Sequence, residues 1–449
     1  MTKKATKQKT MTKTMRCEIK YDKELYKLLS DIQYEVYRLK NKATTLAYDW
    51  QNFSYSYNER FGTYPNSKEL TGQVWISGDI NAILKEDYAK NVYSMTRESA
   101  VKEACDKFKN DMPQIMKGEI SIARYKRDGS FPIRAKQITY LTRINSKKYT
   151  CKLALLSREG AKERELKNGQ IDVELRTGNG SNIILDRLIS GEYKLSDSKI
   201  GKTKNKFYLL VAYTFTPDKE ILDENKIMGI DVGINVPATL AVSHDNYYRQ
   251  FVGDGKEIRD FENQVFARKR RIQQSRKWAG DGSVGHGIKT RTKALDKISG
   301  KIANFKQTKN HNWSKFIIDE AVKMGCGTIQ LEDLSGISEE NTFLKTWTFY
   351  QFKQYITYKA EQVGIKVVEI DPSHTSARCN KCGHIHMKHN KDKWRPNQET
   401  FHCQNCNHKA NSDVNAARNI AMKDIEQIIK DQLEVQKKAN QHALKYIAE

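Results

Sequence analysis

The spacing of apolar residues predicts two helices near the start of the chain. Over residues 22–50 the apolar side chains recur at steps of three and four, which indicates one long amphipathic helix. The same spacing returns at 101–112, so residues 22–120 are predicted to form a helical domain. Residues 52–64 are rich in Tyr, Asn and Ser. We expect a loop there, either an ordinary connection or a place where exposed rings stack on bases.

A period of two replaces the helical period further along the chain. Residues 171–175 and 207–215 alternate between apolar and polar side chains, which predicts strands of a β-rich domain at 121–220. A short strand is also predicted at 16–20, before the helical block, and a basic tail precedes it. The helices are therefore expected to be an insertion within a barrel-like sheet.

After Pro217 the pattern is typical of an α/β domain. Short apolar strands come first, a long basic helical region follows, and helices and strands then alternate. The predicted positions are strands at 227–233, 238–243 and 247–252, the basic helical region at 254–310, a helix at 313–324, a strand at 328–334, a helix at 348–363, a strand at 366–371 and a last helix from about Asp413. This is the element order of a ribonuclease H type domain.

Four cysteines near the C-terminus are spaced as metal ligands. Cys379 and Cys382 form one Cys-x-x-Cys knuckle, and Cys403 and Cys406 form a second. Two short turns that each present a pair of thiolates suit the tetrahedral geometry of Zn²⁺, so we predict a zinc ribbon with one structural Zn²⁺. The alternative is a pair of disulfides, but an oxidised Cys-x-x-Cys loop is strained and the other four cysteines have no regular spacing.

The charge of the chain indicates a polyanionic partner. Lys and Arg number 78 against 54 Asp and Glu, which leaves a formal net charge of +24, and 22 Tyr, 15 Phe and 6 Trp accompany them. Phosphate neutralisation combined with base stacking is typical of nucleic-acid-binding proteins; a merely soluble basic protein is the alternative. The sequence has neither an 18-residue apolar run nor a signal peptide. We therefore expect a cytoplasmic protein with no membrane partner.

Three carboxylates occupy places where the predicted elements converge. Asp231 is predicted in the middle of an apolar strand, Glu332 at the end of another, and Asp413 in the first turn of the last helix. A nuclease that uses two Mg²⁺ ions needs such oxygen ligands, and a buried aspartate is unfavourable unless a cation neutralises it. Two alternatives stay open. Asp333 competes with Glu332 for the inward position, and Asp413 is also a suitable helix N-cap.

Four motifs, in this order, resemble a known nuclease family. They are residues 229–233 (Gly-Ile-Asp-Val-Gly), 329–334 (Ile-Gln-Leu-Glu-Asp-Leu), 375–379 (Thr-Ser-Ala-Arg-Cys) with the two knuckles, and 411–420 (Asn-Ser-Asp-Val-Asn-Ala-Ala-Arg-Asn-Ile). Together they look like the RuvC nuclease of the transposon-encoded TnpB proteins and of their descendants, the miniature type V-F CRISPR effectors. Similarity to the miniature effectors extends to residues 122–126, 186–193, 301–305 and 343–347.

The resemblance implies a multidomain α+β fold. A helical recognition lobe is inserted in a wedge β-barrel, and a ribonuclease H-like RuvC domain with an inserted zinc ribbon follows. The implied domains are a basic tail and first wedge strand (1–21), a helical recognition domain (22–120), the wedge barrel (121–220), the first part of RuvC (221–371), a zinc ribbon that binds target nucleic acid (372–410), and the last part of RuvC with a C-terminal helix (411–449).

The resemblance also implies a site and its partners. Asp231, Glu332 and Asp413 would bind two catalytic Mg²⁺ ions, and Arg395 would reach the same site from the ribbon; a solvated loop residue is the alternative for Arg395. The implied activity is that of an RNA-guided DNA endonuclease, in which a guide RNA pairs with one strand of double-stranded target DNA beside a short, T-rich flanking motif. Miniature members of the family commonly assemble as two protein copies on one guide RNA.

Other functions remain open at this point. A TnpB nuclease guided by a transposon-end RNA is the nearest alternative. A guided protein that binds without cleaving is disfavoured because all three acidic positions are intact. A zinc-ribbon RNA-binding protein without enzymatic activity would not need an aspartate inside a buried strand.

Overall fold

Contacts divide the chain into two units, Met1–Thr216 and Pro217–Glu449. The computed structural model describes residues 10–66, 68–69, 76–166, 169–178, 181–217, 220–279, 287–333, 348–387 and 390–448, with side chains as far as residue 438 except at Ser181. Most of the predicted basic tail and the family-like segment 343–347 lie outside these residues. We describe each unit by itself.

The first unit is built on a seven-stranded antiparallel sheet. Its strands are β1 (Met11–Lys20), β2 (Phe131–Ile133), β3 (Ile138–Asn145), β4 (Lys148–Ala154), β5 (Gln170–Arg176), β6 (Lys194–Thr203) and β7 (Lys206–Phe215). Their order is β2-β6-β7-β1-β5-β4-β3, so β1 lies in the middle of the sheet. The outer strands β2 and β3 do not pair with each other among the described residues, so the barrel predicted from the sequence is seen here as an open sheet.

Helices follow β1 and precede β2, which is the insertion that the periodicity predicted. They are α1 (Lys23–Phe61), α2 (Ile76–Leu84) and α3 (Ser94–Met116), and the later helices of this unit are α4 (Arg158–Glu163) and α5 (Ser181–Ile189). Asp22 caps α1 by accepting a hydrogen bond from the N–H of Leu25 at 2.8 Å. Leu29, Val36 and Leu39 on the buried face of α1 are almost completely inaccessible to solvent.

The predicted loop at 52–64 is wrong, because α1 continues to Phe61. Its aromatic residues recur at helical spacing, and neighbouring rings contact one another from Trp50 to Phe53, then Tyr57, then Phe61. Such pairs stabilise a helix at steps of three and four. The helix ends at Gly62, which has a positive φ of 70° and satisfies the carbonyl of Asn58.

The second unit contains a five-stranded mixed sheet. Its strands are β8 (Asp223–Asp231), β9 (Ala238–Val242), β10 (Asp245–Val252), β11 (Cys326–Glu332) and β12 (Lys366–Ile370), in the order β10-β9-β8-β11-β12. β8, β11 and β12 are parallel neighbours, whereas β8, β9 and β10 form an antiparallel meander. The element order agrees with the ribonuclease H type pattern predicted from the sequence.

Helices cover this sheet and continue beyond it. They are α6 (Gly255–Gln274), α7 (Ile288–Thr292), α8 (Ala294–Ile298), α9 (Lys301–Lys323), α10 (Phe349–Val363), α11 (Lys391–Trp394), α12 (Ser412–Ile420) and α13 (Ile425–Ala448). The helix predicted at 313–324 is the second half of α9, whose Trp313 and Ile317 join Phe352 of α10 in the core. Among the described residues, no helix is long and apolar enough to cross a membrane.

A small hairpin and the two cysteine knuckles form a separate core in the second unit. The hairpin strands are β13 (Thr400–His402) and β14 (Lys409–Asn411). Trp394 and Phe401 pack against Cys379 and Cys403 and are almost fully buried. A hydrophobic cluster of this size is too small to fold alone, so this region needs a further source of stability.

Candidate functional site

Two of the three carboxylates lie at the same edge of the five-stranded sheet. β8 and β11 run parallel, with Ile230 opposite Leu331. Asp231 and Glu332 are the next residues, and each is the last residue of its strand. Neighbouring strands lie about 4.8 Å apart, so these side chains belong to one site.

The predicted position of Asp231 in the middle of its strand is wrong. The strand ends at Asp231 because the chain turns directly afterwards. Gly233 is part of that turn, and a Cβ at this position would lie 2.8 Å from the carbonyl oxygen of Val236. The aspartate is therefore at the rim of the sheet, where its carboxylate can reach a ligand.

The third carboxylate is brought to this edge by α12. Asn411 is the N-cap of α12, and its Oδ1 accepts hydrogen bonds from the N–H groups of Asp413 (3.0 Å) and Val414 (3.1 Å). The N-cap alternative for Asp413 is therefore wrong. Because another residue performs that role, the Asp413 carboxylate is not used to cap the helix.

A glycine allows α12 to approach the strand that carries Asp231. A Cβ on Gly229 would overlap the carbonyl of Ala417 and the backbone nitrogen of Ala421, both at the C-terminal end of α12. Gly229 and Asp231 are two residues apart and share a face of β8. Any larger residue at 229 would push the helix, and Asp413 with it, away from the sheet.

Glu332, and not its neighbour Asp333, is directed into the site. The Glu332 side chain is 8% exposed, and its Oε1 lies 2.5 Å from the hydroxyl of Thr375. The Asp333 side chain is 44% exposed and lies 3.7 Å from Nζ of Lys353. Alternation along the strand explains the difference.

Burial raises the proton affinity of all three carboxylates. Burial raises the pKa of Asp231 well above its usual range, and the charges of Glu332 and Asp413 raise it further, while Arg395 opposes them. Burial also raises the pKa of Glu332, although the Thr375 hydroxyl acts in the opposite direction. The pKa of Asp413 is raised by burial and by Glu399, against the charge of Arg395. A divalent cation would offset the cost of burying these charges and relieve the repulsion at Asp231.

The carboxylates share a site but do not close around one point. Among the described residues, the four cysteines are the one group of three or more His, Cys, Asp or Glu side chains whose ligand atoms all lie within 4.8 Å of one another. Two Mg²⁺ ions about 3.5–4 Å apart would each use a subset of the ligands, so a wider set of hard oxygen donors fits a pair of ions. The donor chemistry therefore suits Mg²⁺.

Arg395 extends from the cysteine-containing region to the carboxylates. Its Nη2 lies 3.9 Å from Oδ1 of Asp413 and donates a hydrogen bond to the carbonyl of Gln398 at 3.0 Å. The side chain is 25% exposed. A solvated loop residue would be freer than this, so the geometry favours a guanidinium held beside the site.

The four cysteines are arranged as ligands of one tetrahedral ion. The Sγ atoms of Cys379 and Cys406 are 3.8 Å apart, and those of Cys382 and Cys403 are 3.6 Å apart. Four sulfurs at about 2.3 Å from a zinc ion are separated by about 3.8 Å, whereas bonded sulfurs lie about 2.05 Å apart. The disulfide alternative therefore does not describe this structure.

The cysteine thiols differ in proton affinity. Burial raises the pKa of Cys379 to about 12. Burial acts in the same direction on Cys382, but hydrogen bonds from the backbone of His384 and from neighbouring side chains outweigh it and lower the pKa to about 7. A metal that binds all four thiolates would therefore displace protons.

Several polar residues between the two sites were missed from the sequence. Thr375, Asn415 and Asn419 are fully buried and hydrogen bonded, yet no role was assigned to them within the motifs. One signal was available: Asn415 and Asn419 are four residues apart on a helix that also carries Val414, Ala416, Ala417 and Ile420. Polar side chains on the apolar face of a helix indicate buried hydrogen bonds.

Comparison with solved structures identifies the fold. The fold is similar to that of the protein in a Cas12f1-sgRNA-target DNA complex determined by cryo-EM, with a TM-score of 0.62 and 17% identity over 92% of this chain and 99% of that chain. The mini-RNA-guided endonuclease CRISPR-Cas_phi3 gives a TM-score of 0.52 at 10% identity and covers 93% of this chain and 92% of that chain. The mixed α+β fold is thus that of the CRISPR effectors.

Sequence comparison then gives the family. The CRISPR-associated endodeoxyribonuclease Cas12f1 of Sulfoacidibacillus thermotolerans is 39% identical over 92% of this chain and 96% of that protein. The Cas12f1-like TNB domain matches residues 349–420. The TnpB-like protein MJ0751 of Methanocaldococcus jannaschii is 34% identical, but over only 29% of this chain and 46% of that protein. The chain belongs to the Cas12f1 family, as its motifs predicted.

Proposed function

We propose that this protein is an RNA-guided DNA endonuclease that cleaves with a single RuvC site. Its partners are a guide RNA and double-stranded target DNA that carries a short, T-rich flanking motif. One observation carries the proposal: Asp231, Glu332 and Asp413 come from three separate segments and meet beside Arg395, in a chain that belongs to the Cas12f1 family.

The side chains of the site have distinct tasks. Asp231, Glu332 and Asp413 would hold two Mg²⁺ ions, which when bound supply activation of water and stabilisation of the leaving oxygen. Thr375 holds the Glu332 carboxylate in place through its hydroxyl. Arg395 presents a positive charge to the phosphate that enters between the carboxylates and the ribbon. The four cysteines would hold one structural Zn²⁺.

The remainder of the chain supplies binding. The net charge of +24 suits contact with the phosphates of a guide RNA and its heteroduplex, which such effectors recognise through shape and charge. We assign the sheet of the first unit to a wedge domain and α1, α2 and α3 to a recognition lobe inserted in it. We also expect two copies of the chain to share one guide RNA.

A TnpB nuclease guided by a transposon-end RNA is the second candidate. The extent of similarity favours the CRISPR effector, because TnpB-like relatives match between 29% and 53% of the chain, whereas Cas12f1 matches 92% of it. Sequencing the RNA that copurifies with the protein separates the two. Repeat-derived guides support the effector, and a single transposon-end transcript contradicts it.

Cleavage of a guided target tests the activity directly. The purified protein with its guide RNA should cut a matching DNA in Mg²⁺ and should not cut it in a chelator. Asp231→Ala should still bind the guide and the target but should not cut, because one lost ligand removes the metals without changing the basic surfaces. Cutting by Asp231→Ala at the wild-type rate would disprove the assignment of the site.

A further inference from the structure

One short segment of the chain serves both candidate metal sites. Residues 375–380 contain Cys379, which belongs to the four-cysteine cluster, and Thr375, whose hydroxyl lies 2.5 Å from Oε1 of Glu332. Thr375 and Cys379 are both fully buried. The backbone between them therefore links the cysteine cluster to Thr375, and the Thr375 hydroxyl continues that link to the Glu332 carboxylate through a hydrogen bond.

A buried asparagine of α12 forms hydrogen bonds with the backbone of this segment on either side of Cys379. Oδ1 of Asn415 accepts a hydrogen bond from the N–H of Asn380 at 3.0 Å, and its Nδ2 donates to the carbonyl of Arg378 at 2.8 Å. The amide thus holds the backbone on both sides of Cys379. Asn415 is fully buried, so a lost bond would leave polar groups without a solvent substitute.

A second buried asparagine, one turn later on α12, holds the other end of the segment. Nδ2 of Asn419 donates to the carbonyls of Thr375 (2.9 Å) and Arg378 (2.7 Å), and its Oδ1 accepts from Nη1 of Arg378 at 2.7 Å. The same helix carries Asp413 in its first turn. Movement of the segment would therefore disturb both Glu332 and the helix that positions Asp413.

The charge of Arg378 ties this arrangement to the cysteines. The side chain is buried, and its hydrogen bonds go to the neutral amides of Asn419 and Gln432. It forms no salt bridge within the part of the chain that the structure describes. A buried guanidinium needs compensating negative charge, and four thiolates around one Zn²⁺ would supply a net charge of −2 at the cluster that contains the next residue, Cys379.

We propose that Thr375, Asn415 and Asn419 are positioning residues that transmit the order of the four-cysteine cluster to Glu332 and Asp413. The inference rests on the proposed function, since it gives the ribbon a role in placing the carboxylates that bind Mg²⁺. Loss of order in the cysteine cluster then weakens metal binding at a site that shares none of its ligands.

Thr375→Val is the decisive variant, because it removes one hydroxyl and keeps the shape of the side chain. The zinc-loaded protein is titrated with Mn²⁺, the free ion is followed by electron paramagnetic resonance, and Asp231→Ala gives the background binding. We expect the Mn²⁺ dissociation constant to rise about 10–100-fold while zinc content stays at one per chain. Thr375→Ser, which keeps the hydroxyl, should restore wild-type affinity.

Asn419→Ala tests the second link and should weaken Mn²⁺ binding in the same way. Gln404→Ala is the control, because the amide of Gln404 lies in the ribbon and donates to the carbonyl of Lys393 within it, at 2.8 Å. The control should leave Mn²⁺ affinity unchanged. If Asn419→Ala does not fold, Thr375→Val alone decides.

Unchanged Mn²⁺ affinity in Thr375→Val, or weakened affinity that Thr375→Ser does not restore, overturns the inference. The proposed function has a separate readout. Wild-type protein that shows this Mn²⁺ pattern but cuts no guided target would contradict the endonuclease and support the positioning role. Cleavage of the guided target by the wild type, together with unchanged Mn²⁺ affinity in Thr375→Val, would support the endonuclease and contradict the positioning role.

Discussion

The cysteine cluster and the carboxylate site differ in how completely the chain assembles them. The four thiols come from two local knuckles, and their sulfurs already lie within 4.8 Å of one another. The three carboxylates come from two strands and a helix that are distant in sequence, and they do not close to that distance. Local spacing alone can build the first site, whereas the second depends on the tertiary fold.

The difference also concerns what each metal contributes. Zinc bound by the four cysteines would add to the folding free energy of a region whose hydrophobic core is small. Burial raises the pKa of all three carboxylates, and at Asp231 the charges of Glu332 and Asp413 add to it, so Mg²⁺ would chiefly relieve a cost that the folded chain already carries. We therefore expect loss of the first metal to unfold structure and loss of the second to remove activity.

Cys403→Ser should produce the largest effect. Structural zinc contributes about 10–16 kcal/mol of apparent binding free energy in small zinc domains, so losing one ligand should unfold the ribbon, release zinc and abolish cleavage. Guide-RNA binding should persist. Metal analysis and a guide-binding assay check this, with Cys105→Ser, buried in α3, as the control that keeps its zinc. A Cys403→Ser protein that cleaves normally without zinc would contradict the role given to the cluster.

Glu332→Ala should reduce guided cleavage by about 10²–10³-fold or more while the protein stays folded, because it removes a metal ligand and no structural one. Asp333→Ala is the matched control, since the two carboxylates are adjacent and only Glu332 contacts Thr375. Single-turnover cleavage of the two variants gives the comparison. Equal losses of cleavage rate in both variants would show that Glu332 has no role in the site that Asp333 lacks.

Arg395→Gln should reduce cleavage about 10–100-fold and leave zinc content unchanged, because the residue lies in the ribbon but its charge acts at Asp413. This variant distinguishes the two sites, since it should change the carboxylate site and leave the cysteine cluster intact. Lys393 carries an exposed charge on α11, the short helix that ends next to Arg395, and Lys393→Gln should have little effect on cleavage. The assignment fails if both changes slow cleavage to the same extent.

Asp231→Asn should give the smallest effect, a gain in stability in the presence of a chelator. The raised pKa of Asp231 means that its contribution to stability is present below the unfolded pKa of about 4 and is lost as pH rises through the folded value. The variant should therefore melt a few degrees higher than wild type at pH 8, at about 2–4 °C per kcal/mol, and the gap should narrow as pH falls. Thermal melts across this range measure it.

With Mg²⁺ in place of the chelator, the wild type should melt at a higher temperature than Asp231→Asn. Mg²⁺ should raise the melting temperature of the wild type and leave Asp231→Asn nearly unchanged, since the variant lacks a charged ligand. If the wild type instead melts higher than the variant in a chelator at pH 8, the carboxylates do not repel one another as the geometry indicates.

The sequence predicted the features that follow from local spacing. The knuckles were identifiable from their cysteines, and the order of helices and strands along the second unit followed from the apolar pattern. The continuation of α1 past Trp50 was missed because its aromatic residues are as typical of a loop that contacts nucleic acid as of a helix. The contacts of Asn415 depend on long-range packing, so no local pattern specified its partners.

The central position of β1 also has a consequence for folding during synthesis. This strand is made first, yet it pairs with β7, where Met11 lies opposite Phe215. At about 5–20 residues per second, a ribosome needs roughly 10–40 s to supply the missing strand. Pairings between such distant residues form late and slowly. β5 emerges earlier but pairs with only the end of β1, so most of β1 has no neighbouring strand until β7 emerges, and its apolar side stays exposed in the nascent chain during that interval.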